Sequence, residues 1–143
     1  MTPDARVAAA IEVLDAVLSG TSAEQTLINW ARRNRYAGSG DRAAVRDLVF
    51  DAIRCKRSFA WRGGSETGRG LMLGRAIARG EDLDRLFTGQ GYGPVAPSAE
   101  ERAQRAIADA SPAVMYDAPD WLWPDLQASL GDCLLYTSDA ADD

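Results

Sequence analysis

The sequence contains no histidine, and that absence removes a large share of enzyme chemistry at once. The commonest general base is missing, and no Ser, His and Asp triad can be assembled. Cysteine is nearly missing too. Cys55 and Cys133 stand apart, outside any C-x-x-C pair, so neither a zinc site nor a disulfide framework is expected. Cys55 falls on an apolar helical pattern and reads as a small buried hydrophobe. No apolar run approaches the ~20 residues that cross a bilayer, so no membrane partner is expected. The opening "MTPDARVAAAIEVLDAVL" carries Asp4, Glu12 and Asp15, which a secretory leader would not, and a cytoplasmic protein is expected. β-Branched residues are few, no stretch alternates apolar and polar, and no segment repeats. A sheet protein and a solenoid are both excluded on that basis.

What is present is helical. Ala and Leu dominate. Thr2 before Pro3 is an N-cap with proline at the first helical position, and Val7, Ile11, Leu14 and Leu18 follow at helical spacing until Gly20. Ser22 with Gln25 forms a capping box that opens a helix turning Leu27 and Trp30 inward. "NRYAGSGD" is a loop. Ser39 or Asp41 then caps the clearest element, "DRAAVRDLVFDAIRCKRSFAW", whose stripe runs unbroken through Val45, Leu48, Val49, Ala52, Ile53 and Phe59. "RGGSETGRG" ends it, "LMLGRAIARG" is a shorter helix and "DLDRLF" a further turn. Ser98 with Glu101 is a second capping box, opening a polar helix that Ala110 and Pro112 close. "DAPDWLWPDLQASLG" reads as a turn and an amphipathic helix with Trp121, Leu122, Leu126 and Leu130 on one side. The expected fold is an all-α bundle of five to six helices.

The net charge of −5 argues against a polyanionic partner, but its distribution argues the other way. Between Trp30 and Gly80 lie twelve basic and four acidic residues, a local charge of +8 against −13 for the remainder. A polyanion meets a local face, because the field decays within ~10 Å in salt. The candidate RNA-binding residues are therefore Arg32, Arg33 and Arg35, before the long helix, and Arg42, Arg46, Arg54, Lys56 and Arg57 along it. Arg42, Arg46, Lys56 and Arg57 lie off the apolar stripe and should face solvent together. The plainer alternative is a solvated helix face in which Arg42 and Arg46 pair with Asp47 and Asp51. "TGQGYGP" has glycines but follows no strand and opens no helix, so it reads as a surface loop rather than a nucleotide cradle. "PDWLWP" offers either a pair of exposed indoles for a partner or, as favoured here, one ring packed on the bundle to set the angle of a following domain.

These stretches carry a resemblance. "GSGDRAAVRDLVFDAIRCKRSFAW" resembles the signature helix in the N-terminal domain of the RsmB/NOP-type ribosomal RNA cytosine-5 methyltransferases. "VAAAIEVLDAVLSG" is similar to the first helix of that domain. "DAPDWLWPDLQASLG" is similar to the Pro-x-Trp-Leu segment that leads into the catalytic half. The likeness covers most of residues 1–132, in family order. It implies a NusB-like helical RNA-binding domain over 1–110 and a lead-in to a methyltransferase domain over 111–132. It also implies ribosomal RNA as partner, with the catalytic half as a second partner in cis. The family's catalytic half binds S-adenosylmethionine and uses a pair of cysteines. No glycine loop after a strand and no matching cysteine is found in this sequence, so no cofactor and no catalytic residue is assigned to it.

Residues 133–143, "CLLYTSDAADD", resemble the translation of a transposase adapter used in library preparation, all eleven agreeing in one frame. They are read as an artefact and set aside from fold reasoning; without Asp139, Asp142 and Asp143 the net charge becomes −2. Three functions follow for the rest. The first is an RNA-binding domain that positions ribosomal RNA so that a flipped cytosine reaches a catalytic half. The second is a stand-alone NusB-like factor binding RNA and protein in transcription antitermination, which would not need the Trp121–Trp123 lead-in. The third is a scaffold that only packs on the catalytic half.

Overall fold

The computed structural model describes residues 1–102, and these form an all-α bundle. The expected closure of the domain near 110, the segment with Trp121 and Trp123, and residues 133–143 lie outside the described residues. α1 (Pro3–Leu18) runs through the middle of the bundle. Around it pack α2 (Ala23–Arg33), α3 (Ser39–Arg54), α5 (Gly68–Arg79) and the single turn α6 (Leu83–Leu86). α4 (Lys56–Gly63) joins α3 and lies along α5, and α7 (Ala99–Arg102) is the last described turn. Among the described residues there is no strand, and no helix is long and apolar enough to cross a membrane.

Local chemistry accounts for most of the element starts. The Thr2 hydroxyl accepts from Ala5 N at 3.4 Å with Pro3 at the first helical position. The Ser22 hydroxyl accepts from Gln25 N at 3.3 Å, but the Gln25 amide turns away and donates to Asn29 at 3.0 Å, so this box closes on one side only. Ser98 and Glu101 close theirs on both: Ser98 N donates to Glu101 Oε1 at 2.9 Å and Glu101 N to Ser98 Oγ at 3.2 Å. The cap of α3 is neither Ser39 nor Asp41. Gly38 holds that position, and Asp41, one turn in, accepts from Gly38 N at 3.3 Å while binding Arg6 of α1 at 2.7 Å.

Two expectations about the middle of the chain are corrected. The single long helix over "DRAAVRDLVFDAIRCKRSFAW" is broken at Cys55, whose φ of −107° and ψ of 31° end α3 and start α4. Seven helices, two of them single turns, therefore stand among the described residues where five or six were expected for the chain. Cys55 itself is half-buried against the core. The second correction is that Gly68 to Gly70 are the first turn of α5, capped by Thr67, which accepts from Gly70 N at 3.0 Å.

Both corrections have one cause, the backbone contact between α4 and α5. A Cβ on Gly63 would lie 1.8 Å from the Gly70 carbonyl oxygen, and one on Gly74 would lie 1.9 Å from that of Phe59. Only hydrogen fits there, so the two helices touch main chain to main chain. Phe59 then packs fully into the core beside Leu71 and Leu73, which a straight continuation of α3 would not allow. α5 is also held to α1: Asp15 Oδ1 accepts from Gly68 N at 2.8 Å. The loop 88–97 crosses the surface as expected, with Thr88 donating to Asp4 at 2.8 Å.

Candidate nucleic-acid interface

The structure divides the basic series into cations used internally and cations left facing outward. The largest internal group centres on Asp51, the α3 carboxylate that points toward α5. Arg54 donates to it at 2.6 Å, Arg75 at 2.8 Å and Arg79 at 3.0 Å. Burial pushes the Asp51 carboxyl up, but the hydrogen bonds from Arg79 and Arg75 outweigh that and hold it below the ordinary carboxylate range. The proposed pairing of Arg42 and Arg46 with Asp51 is thus displaced, since Asp51 is occupied by cations from α5 and from the end of α3.

A second internal pair closes the α7 end. Arg69 forks onto both oxygens of Glu101, at 2.8 and 2.9 Å, and its guanidinium lies 5.2 Å over the Phe87 ring. The Arg69 hydrogen bonds hold the Glu101 carboxyl down to about 2, against burial and with help from Ser98 N. A depressed carboxyl stabilises the fold fully above its unfolded value near 4.5, and this contribution is lost as pH falls toward 2. Replacing Glu101 by Gln should cost ~1–2 kcal/mol at neutral pH. The gap between variant and parent in thermal denaturation should shrink steadily below pH 4.5. A gap that stays constant down to pH 3 contradicts the assignment.

The predicted site residues therefore part company. Arg54 belongs to the Asp51 group. Arg33 pairs with Glu12 of α1 at 3.0 Å and Lys56 with Glu66 at 3.3 Å, and the charged ends of both pairs are open to solvent, where such pairs are worth little. The break at Cys55 takes Lys56 and Arg57, now half-buried on α4, out of the helical register of Arg42 and Arg46. Arg32, Arg35, Arg42 and Arg46 are exposed and make no ion pair among the described residues. Arg32 and Arg33 border a depression with Thr21, Thr26 and Asn29 between α1 and α2. Arg42 and Arg46 stand over a groove between α2 and α3.

That groove contains the residues the sequence reading missed. Its lining includes Leu27, Ile28 and Ala31 from α2 and Phe50 from α3, with Trp30 closing the floor at 2% exposure. Ile28 and Phe50 remain 47% and 37% exposed. The Arg46 guanidinium lies 5.5 Å from the Phe50 ring centroid, one helical turn apart. One sequence signal was available: Phe50 falls outside the Val45–Ile53 stripe, four residues after Arg46, so a large ring had to share the outer face with a cation.

The described residues contain no cluster able to hold a metal ion. The site is an apolar groove between α2 and α3 flanked by Arg42 and Arg46. Comparison of the chain with family models, curated proteins and solved structures returns no match.

Proposed function

We propose that this bundle is an RNA-binding domain of NusB-like type, the N-terminal part of an S-adenosylmethionine-dependent ribosomal RNA cytosine-5 methyltransferase of the RsmB/NOP family. In this reading it acts in the cytoplasm and holds ribosomal RNA for a catalytic half in cis, which supplies the cofactor site and the cysteines. The observation that carries the RNA reading is the separation of the arginines. Arg69, Arg75 and Arg79 are used in holding helices together and Arg54 pairs with Asp51 within α3, whereas Arg32, Arg35, Arg42 and Arg46 are left outward on and between α2 and α3. Cations not used in ion pairs among the described residues, close together in sequence on a chain whose net charge is negative, fit contacts to phosphates. The family assignment rests on the sequence resemblance.

The test is a salt titration. Binding to single-stranded RNA should be weak, and its logarithm should fall linearly with the logarithm of salt concentration. The double substitution R42Q/R46Q keeps helix propensity and chain length, and should flatten that slope by ~1.4, about 0.7 for each lost phosphate contact. R85Q, at an exposed arginine of α6, should leave the slope unchanged. Equal flattening per charge at both places would mean attraction to net charge alone. No binding at low salt would refute the RNA reading and favour the scaffold.

A further inference from the structure

The α2–α3 groove asks for more than phosphate. It encloses about 260 Å³, below the ~300 Å³ at which small-molecule pockets begin, and the exposed large hydrophobic residues on its lining are Ile28 and Phe50. An amphipathic helix from a protein partner would need anchor pockets repeated over two turns, at i, i+3, i+4 and i+7. This groove offers room for one planar group. Arg42 and Arg46 are cations without an ion pair among the described residues, so the occupant should carry negative charge beside its apolar part. Among the described residues, Glu24 is the sole carboxylate on the lining. It repels phosphate and can accept from an N–H donor.

We propose that the groove receives one unstacked base of single-stranded RNA, laid against Ile28 and Phe50. Arg42 and Arg46 hold the flanking phosphates, and Glu24 accepts from an exocyclic amino group of the base. This rests on the RNA reading and adds to it a base-specific subsite. Stacking on an aromatic ring or a guanidinium plane is how splayed bases are held by proteins, and here Arg46 and Phe50 already form such a pair. The amino-group contact favours cytosine or adenine over uracil, because uracil has a carbonyl oxygen where cytosine has an amino group.

The experiment compares three oligoribonucleotides of equal length by fluorescence anisotropy with the full chain: oligo(C), oligo(U) and an abasic strand of the same charge. Oligo(C) should bind about tenfold more tightly than the abasic strand, consistent with stacking one base. I28A and F50A should each bring oligo(C) down to the abasic affinity and leave the abasic affinity unchanged. R42Q/R46Q should weaken all three. Ile28 is half-exposed, so its truncation keeps the assay valid even if F50A disturbs α3.

Binding of oligo(C) and the abasic strand with equal affinity overturns the subsite and leaves the RNA reading intact, with the groove then better suited to an acidic protein segment. A base preference that survives both I28A and F50A places the subsite elsewhere and overturns it as well. Equal affinity for oligo(C) and oligo(U) overturns the role of Glu24. Failure of all three strands to bind refutes the RNA reading itself.

Discussion

Gly74→Ala should destabilise the bundle by ~3 kcal/mol or more, the far end of what overpacking costs and a large part of a small domain's stability. On helix propensity alone the same change would stabilise α5 by up to ~1 kcal/mol. The contact with α4 reverses the sign. The added methyl carbon would sit 1.9 Å from the Phe59 carbonyl oxygen and 2.5 Å from its carbon. Both are backbone atoms held by the helix ladder, so no rotamer change can relieve the overlap and α4 must move off α5. The thermal midpoint should fall by more than ~10 °C, given ~4–8 °C per kcal/mol for a domain of this size. Gly40→Ala is the matched control. It lies in the first turn of α3 with nothing within 4 Å of the new carbon, and should raise the midpoint slightly. A Gly74→Ala protein as stable as the Gly40→Ala protein would mean that α4 and α5 are not in contact.

Asp51→Asn should cost ~2–3 kcal/mol in urea denaturation. The substitution preserves shape and removes one charge that faces three guanidinium groups. The Asp51 side chain is 11% exposed and Arg75 is 21% exposed, so the pair is shielded from salt, and the substitution leaves half-buried Arg75 with only the longer 3.4 Å pair to Glu81. Because the Asp51 carboxyl is held below its ordinary value of 3.8, its contribution is complete above that pH and disappears as pH falls beneath it. Variant and parent should therefore converge in acid. Asp47→Asn, one turn earlier on the exposed side of α3, should stay within ~0.5 kcal/mol of the parent. Equal losses at both positions would show that Asp51 is an ordinary surface carboxylate.

Much of the helical plan was legible in particular residues. The caps at Thr2, Ser22 and Ser98 act within three residues of themselves, so chain order alone locates them. The apolar spacing of α1 identified Val7 and Leu14 as core, and both are buried. The candidate site was legible only as a composition. Counting charge between Trp30 and Gly80 could not tell Arg42 from Arg75, since both are arginines within helices of the same basic segment. What separates them is Asp51, 24 residues from Arg75 in sequence and 2.8 Å away in space.

The sequence by itself determined that this chain is helical, where most helices begin, and that its cations concentrate in one segment, because caps, periodicity and composition are properties of neighbours along the chain. Only the tertiary structure decided that the long middle helix breaks at Cys55, that Gly63 and Gly74 bring two helices into main-chain contact, and that Arg42, Arg46 and Phe50 share a groove with Ile28. Those features depend on which surfaces meet. A backbone contact that excludes a methyl group, or a carboxylate that gathers arginines from two helices, comes into being only when segments distant in sequence are brought together by burial of the core.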